Sequence, residues 1–390
     1  PATATAPAVQ LRAADGTILV NNKFPDMKAL GDYIHSKGLK FGIYSGPGPR
    51  TCGGYVASWQ HEEQDARTWA SWGVDYIKYD WCSYSEVAPA DDSGAPKMNG
   101  FTLKQLKLPY QVLRTAIDKQ DRDIVMSLCQ YGWGNVWEWG AEDGINGNLW
   151  RATGDITDTW QSMQGIGFAQ NGHEQYAGPG HWNDTDMLVV GMVGWGNVPR
   201  ANRMTQAEQQ THITLWAILA APMLLGCDLT QLDEFTTNLM SNDEMLAVNQ
   251  DPAGKQGWRI AAMDANNEPV AANAAAPGGG GRGRGNPQNA APKQIWARPL
   301  LDGTYAVGLF NLGNEPTKIS ISLKDLAAGL KTSINGPVAL RDIWQLKDLA
   351  PTSDAISAEV PRHGSVFLKV GTPKPDAQVI ADIVKMHAPK

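Results

Sequence analysis

Trp72-Gly-Val-Asp-Tyr-Ile-Lys-Tyr-Asp-Trp-Cys82 decides how the rest of the chain reads. Residues 74–79 form a short β-branched and aromatic run, the composition of a buried strand, and the run hands an acid, Asp80, to the loop beyond. The same grammar recurs on both sides. A helix is expected over 26–36, with Met27, Leu30, Tyr33 and Ile34 on one face and Gly38 as its stop. Strands are expected at 39–44, 124–128, 150–152, 188–190 and 222–225, and a helix over 206–219 carries Ile213, Trp216 and Ala217 as core. Short strands alternating with helices imply a parallel α/β barrel, in which chemistry gathers at the C-terminal strand ends.

Asp80 sits at such an end. A lone acid there also serves as a helix cap or turn residue. A second acid changes the weight: in Trp150-Arg-Ala-Thr-Gly-Asp155, Asp155 follows another short aromatic segment, with Arg151 upstream to orient or neutralise a carboxylate. Two carboxylates at the ends of different strands are what glycoside hydrolysis requires, one attacking the anomeric carbon and the other protonating the leaving oxygen. Lys78 is expected to favour the ionised form of Asp80, and a water-poor setting to hold Asp155 protonated.

Several motifs together carry a specific resemblance. Tyr33-Ile-His-Ser-Lys-Gly-Leu-Lys-Phe-Gly-Ile-Tyr44, Thr51-Cys-Gly-Gly54, Glu63-Gln-Asp-Ala66, the 72–82 stretch, the 150–155 stretch, Gly178-Pro-Gly-His-Trp-Asn-Asp-Thr-Asp-Met187 and Asn249-Gln-Asp-Pro252 occur in order across about residues 10–260. This pattern resembles the family 27 glycoside hydrolases, the α-galactosidases and α-N-acetylgalactosaminidases. The resemblance implies a (β/α)8 TIM-type barrel and double displacement, with Asp80 as nucleophile and Asp155 as acid/base. It implies sugar contacts from Tyr44, Lys78, Arg151 and Asp186, with Met187 lining the pocket. In Cys129-Gln-Tyr-Gly-Trp133 it implies that Gln130 and Trp133 meet the substituent on C2, where an indole favours galactose over N-acetylgalactosamine; a Trp packed in the barrel rim is the other reading. It also implies a Cys52–Cys82 disulfide, worth roughly 3–4 kcal/mol in the chain-entropy model, and hence a secreted or periplasmic protein. Cys129 and Cys227 are expected to be free.

The segment before residue 25 resembles the loop after the family's second strand, so only about six barrel strands are expected. The aromatic platform of the first strand and the acid pair of the second are then missing, and a fragment of a longer protein is expected over a natural truncation with an open barrel. Two function classes follow: a retaining exo-glycosidase releasing terminal α-galactose, or a non-catalytic sugar-binding remnant. Sister activities on α-N-acetylgalactosaminides, β-L-arabinopyranosides or isomalto-dextran remain open. Beyond Asn249-Gln-Asp-Pro252, alternating segments at 258–262, 294–299, 305–311, 317–323, 338–343 and 366–370 imply an antiparallel β-sandwich. The expected layout is a barrel over 1–255, a sandwich over 256–372 with a Gly-rich insertion at about 272–293, and a tail over 373–390 with a short helix at 377–386. Residues 1–8 read as a disordered leader.

Composition bounds the partners. A net charge of −7 without a basic stripe argues against nucleic acid, and two arginines in the Gly-rich run do not reverse this. No apolar run approaches the roughly 20 residues of a membrane span, and residues 1–8 lack the pattern of a signal peptide. The alternating acids of 183–186 lack the Gly and Glu of a calcium loop, the histidines lack HExxH spacing, and neither a phosphate loop nor a GxSxG elbow occurs. No cofactor is expected, His35 reads as a helix-surface residue, and the partner is a small or oligomeric α-galactoside, with a homodimer possible.

Overall fold

A computed structural model describes residues 11–194, 198–270, 291–373, 377 and 381. The expected leader lies outside these residues, as does nearly all of the Gly-rich insertion and of the tail helix. The chain divides into two compact units, 1–151 and 152–390.

The first unit alternates strand and helix. Asp26 caps α1 (Met27–Ser36) by accepting from the Ala29 amide, and Gly38, at φ 73°, ends it as a left-handed stop. Strand β1 (Gly42–Ser45) follows, then α2 (Glu62–Trp72), closed by Gly73 at φ 82°, and β2 (Tyr76–Asp80). A small hairpin, β3 (Lys97–Met98) and β4 (Phe101–Thr102), leads into α3 (Leu103–Asp118), whose start is a Thr102–Gln105 capping box. Then come β5 (Val125–Cys129), α4 (Val136–Trp139) and β6 (Leu149–Arg151). The parallel order β1-β2-β5-β6 follows chain order. Its register pairs Tyr44 with Lys78, Lys78 with Ser127 and Asp80 with Cys129, so all the C-terminal ends lie on one side. Beneath them Trp69, Ile77, Leu106, Leu113, Leu128 and Trp150 form the core. His35, expected on the helix surface, is partly exposed there, and its ring nitrogen lies 2.7 Å from the Asp75 carboxylate, which also pairs with Arg122. The pairing arises because α1 packs against the start of β2, a tertiary contact that helix periodicity does not reveal.

The second unit opens with the loop that carries Asp155, followed by α5 (Trp160–Gly167), β7 (Trp182–Asp184) and the pair β8 (Met192–Val193) and β9 (Arg200–Ala201). The strands expected at 188–190 and 222–225 shrink to one parallel bridge between Leu188 and Leu225. Pro222 has no amide to donate, and Gly191 turns away at φ 65°, so the ladder cannot extend. Helix α6 (Gln206–Ile218) starts at a Thr205–Glu208 capping box and is buried on every side from Thr211 to Ile218. After α7 (Glu234–Met240) and α8 (Asp243–Asn249) the chain becomes antiparallel: β10 (Trp258–Met263), β11 (Lys293–Pro299), β12 (Tyr305–Asn311), β13 (Thr317–Ser322), α9 (Leu323–Gly329), β14 (Val338–Asp342), β15 (Lys347–Thr352), β16 (Ala355–Val360) and β17 (Ser365–Val370). One sheet runs β10-β11-β12-β17-β14-β15, and β13 pairs with β16. Ile295, Val307, Leu309, Ile319, Ile356 and Leu368 fill the layer between them.

Across residue 255 the core is continuous, because Trp296, Phe310 and Phe367 pack against Ile218, Trp216 and Val248. Arg298, fully buried, seals the junction: its Nη1 donates to the carbonyls of Ala217, Val248 and Asn249 at 3.0, 2.7 and 3.2 Å, satisfying the C-terminal ends of α6 and α8.

Candidate active site

Asp80 ends β2, and β alternation puts Lys78 on the same face of that strand. Asp80 is 7% exposed, and its carboxylate is held on both oxygens. The Tyr44 hydroxyl donates to Oδ2 at 2.8 Å and the Tyr131 hydroxyl donates to Oδ1 at 2.8 Å. Burial first, and the Asp80 charge second, push the Tyr44 phenol well above its ordinary range, so Tyr44 is a neutral donor at any working pH. Tyr44 is expected as a sugar contact, and the structure adds its bond to Asp80. Tyr131 is not among the expected site residues, since the 129–133 stretch points to Gln130 and Trp133.

Backbone geometry explains the difference. Tyr131 and Gly132 take φ 65° and 79°, and this left-handed pair reverses the chain after β5. An aromatic residue at positive φ is costly, and it persists here because the ring is clasped, edge-on against Trp133 at 5.5 Å. Trp133 in turn stacks on Phe101 and meets Trp81 edge-on. Gln130 is fully buried, and its amide donates to the Trp133 carbonyl at 3.2 Å, closing the turn. The signal available in sequence was the alternation of glycines with aromatics in Gln-Tyr-Gly-Trp-Gly134.

Cys52 and Cys82 form the expected disulfide; Cys129 and Cys227 take part in none. Among the described residues, Cys52, Asp80 and Cys82 form a cluster of metal-ligand types, but the disulfide consumes both sulfurs and leaves no thiolate. The Cys82 sulfur lies 3.3 Å from the Tyr44 hydroxyl, so the bridge backs the tyrosine that holds Asp80. Gly46 and Gly48 let the β1 loop press on the backbone after Asp80: a Cβ at Gly46 would collide with the Asp80 carbonyl, and one at Gly48 with Ser83 and Cys82. Arg151, at the end of β6, is buried and points a guanidinium nitrogen at the Cys129 sulfur, 3.8 Å away.

Asp155, Asp186 and Met187 belong to the second unit. Asp155 is exposed on its loop, so the water-poor setting expected for it is absent. The loop is fastened on both sides of it. Ahead, the Ala152 amide donates to the Asp184 carbonyl at 2.9 Å. Behind, the Ile156 amide donates to Asp186 Oδ2 at 2.9 Å. Asp186 is itself buried at φ 77°, with its amide on Asp184 Oδ1 and its carbonyl accepting from Trp216 Nε1. Met187 is half-buried beside Gly226.

Three residues beyond Asp155, the fully buried Asp158 accepts from Arg200 at 2.6 and 2.8 Å and from Arg203 at 2.7 Å. Burial alone raises its carboxyl; the hydrogen bonds from Arg200 and Arg203 outweigh burial and hold it well below the usual range. A group depressed on folding contributes stability that is complete above its unfolded value of about 3.9 and drains away as pH falls further. Asp158→Asn is therefore expected to lower Tm by about 2–6 °C at neutral pH. The gap between variant and wild type should narrow below about pH 4. A gap in thermal scans that stays constant into that range would mean the carboxylate charge is not the source.

Comparison with known proteins adds the family. The family described as Alpha galactosidase A matches residues 8–251, and that described as Alpha galactosidase C-terminal beta sandwich domain matches residues 290–370. The chain is 35% identical to the alpha-galactosidase of Cyamopsis tetragonoloba, over 90% of this chain and 72% of that one. It is 37% identical to alpha-galactosidase 3 of Arabidopsis thaliana, over 90% and 68%. The crystal structure of alpha-galactosidase I from Mortierella vinacea superposes with a TM-score of 0.74 at 29% identity, covering 94% of this chain and 85% of that one. The fold class is a TIM-type β/α barrel followed by an antiparallel β-sandwich.

Proposed function

The chain belongs to glycoside hydrolase family 27, the α-galactosidase family, and from that premise we propose that it releases terminal α-linked galactose with retention at the anomeric carbon. As a member it is a glycosidase acting on α-galactosides. The observation that carries the finer reading is Asp80: a buried carboxylate at a parallel strand end, oriented by two phenol donors and backed by a disulfide.

In the first step an Asp80 oxygen forms a bond to C1 as the C1–O bond to the aglycone breaks, and Asp155 gives its proton to the departing oxygen. In the second, water attacks C1, its proton goes to Asp155, and the electron pair of the ester bond returns to Asp80. An exposed acid suits this second role, because water must reach it. Tyr44, Lys78, Gln130, Trp133, Arg151, Asp186 and Met187 are assigned to the sugar site, with Asp186 also bracing the loop of the acid/base. The barrel extends to about residue 255 and the sandwich from 256 to 372. The Cys52–Cys82 bridge supports a secreted or periplasmic location. Among the described residues no helix is long and apolar enough to cross a membrane.

The test is stereochemical. With nitrophenyl α-galactoside followed by proton NMR, the α-anomer of galactose should appear first and the β-anomer only by mutarotation. Initial release of β-galactose would replace retention by inversion, and no release would remove the catalytic reading.

A further inference from the structure

We propose that Tyr131 is a positioning residue that serves the second half of the reaction, holding the non-attacking oxygen of Asp80 while the glycosyl-enzyme breaks down. This rests on the reading of Asp80 as nucleophile. The two phenols on Asp80 are not equivalent. Tyr44 is 42% exposed and is assigned to the sugar, so its hydroxyl is free to turn to an arriving ligand and uncover Oδ2. Tyr131 is fixed: its ring is half-buried against Trp133, its backbone is locked in the left-handed turn, and its hydroxyl lies 3.8 Å from both disulfide sulfurs. Oδ1 therefore keeps its donor while Oδ2 attacks.

A direction follows from where charge sits. When Oδ2 bonds to C1, Oδ1 becomes the carbonyl oxygen of the ester and the carboxylate loses its charge. A phenol on Oδ1 thus stabilises the ionised starting carboxylate more than the transition state leading away from it. In the second step the Oδ2–C1 bond breaks as water adds to C1, the electron pair returns to the carboxylate, and the same phenol now meets a growing charge on Oδ1. Loss of the hydroxyl should slow breakdown of the ester and leave its formation unchanged or slightly faster. An ordinary packing role for Tyr131 would give no such asymmetry.

Tyr131→Phe keeps the ring and its contact with Trp133, and removes one charge-assisted hydrogen bond. Turnover of a dinitrophenyl α-galactoside is expected to lose about 10- to 100-fold in kcat, with KM falling in parallel and kcat/KM changing by less than about threefold. Stopped flow should show a phenolate burst of full amplitude followed by a steady state about 10- to 100-fold slower than the wild type's. With a 2-fluoro-galactosyl fluoride, labelling of Asp80 should proceed at nearly the wild-type rate, while reactivation of the trapped enzyme slows by about 10- to 100-fold.

A fall in kcat with KM unchanged and no burst, or labelling and reactivation slowed equally, overturns the proposal. So does a thermal midpoint lowered enough to account for the lost activity. Labelling of a residue other than Asp80 in the wild type, or no turnover and no labelling at all, overturns the underlying assignment of the nucleophile instead, and mass spectrometry of the labelled peptide separates the two failures.

Discussion

Asp80→Asn should lose about a thousand- to a hundred-thousand-fold in kcat on any α-galactoside, however good its leaving group, while Tm moves by only a few degrees. The amide matches the carboxylate in shape, so packing survives, but it presents one acceptor oxygen to two phenol donors. Either Tyr44 or Tyr131 must turn its hydrogen away. The loss is chemical, since a neutral amide cannot form the glycosyl ester. Asp80→Gly gives the sharper readout: azide entering the vacated space should restore turnover and yield galactosyl azide of β configuration, the hand of the missing ester. Restoration with the α product, or an Asp80→Asn variant retaining a tenth or so of wild-type kcat, would remove Asp80 from the bond-making role.

Asp155→Ala is expected to behave differently, because it removes a proton donor and acceptor and leaves the nucleophile intact. For galactosides with sugar leaving groups, kcat/KM should fall by about 100- to 10,000-fold; for dinitrophenolate, which departs without a proton, much of the loss should vanish. Azide should accelerate breakdown of the glycosyl-enzyme and give the α-azide, the opposite product to that of Asp80→Gly. The fold around position 155 should tolerate the change. The residue is exposed, and its loop is fastened by the Ile156 amide on Asp186 and by Asp158 between two arginines, contacts that remain when residue 155 is truncated. Equal losses across leaving groups of very different basicity would show that Asp155 is not the acid.

Much of this architecture was legible in the chain. The strand that delivers Asp80, the helix stop at Gly38, the core character of α6 and six of the sandwich strands follow from periodicity and turn residues. Local patterning carries such information because each element buries one face. The failures are equally physical. β15 was missed because Lys347–Thr352 is an edge strand, largely exposed and holding Pro351, so it has neither the apolar alternation nor the full ladder that marks a strand. The segments at 188–190 and 222–225 had the right composition and found only one bridge, since pairing depends on the partner backbone.

The site divides in the same way. Asp80 and Asp155 follow from residue type, position after short strands and resemblance, and Tyr44 and the Cys52–Cys82 pairing from resemblance alone. Sequence alone determined the family and with it the chemistry on offer, because reactive groups and their spacing are written in order along the chain. Only the tertiary structure decided which groups hold the nucleophile and brace the acid's loop. Tyr131 reaches Asp80 from 51 positions away, across paired β2 and β5 and through a left-handed turn, and Asp186 reaches the Ile156 amide from 30 away. Contacts of that separation are fixed by strand register and backbone handedness, which no window of neighbouring residues contains.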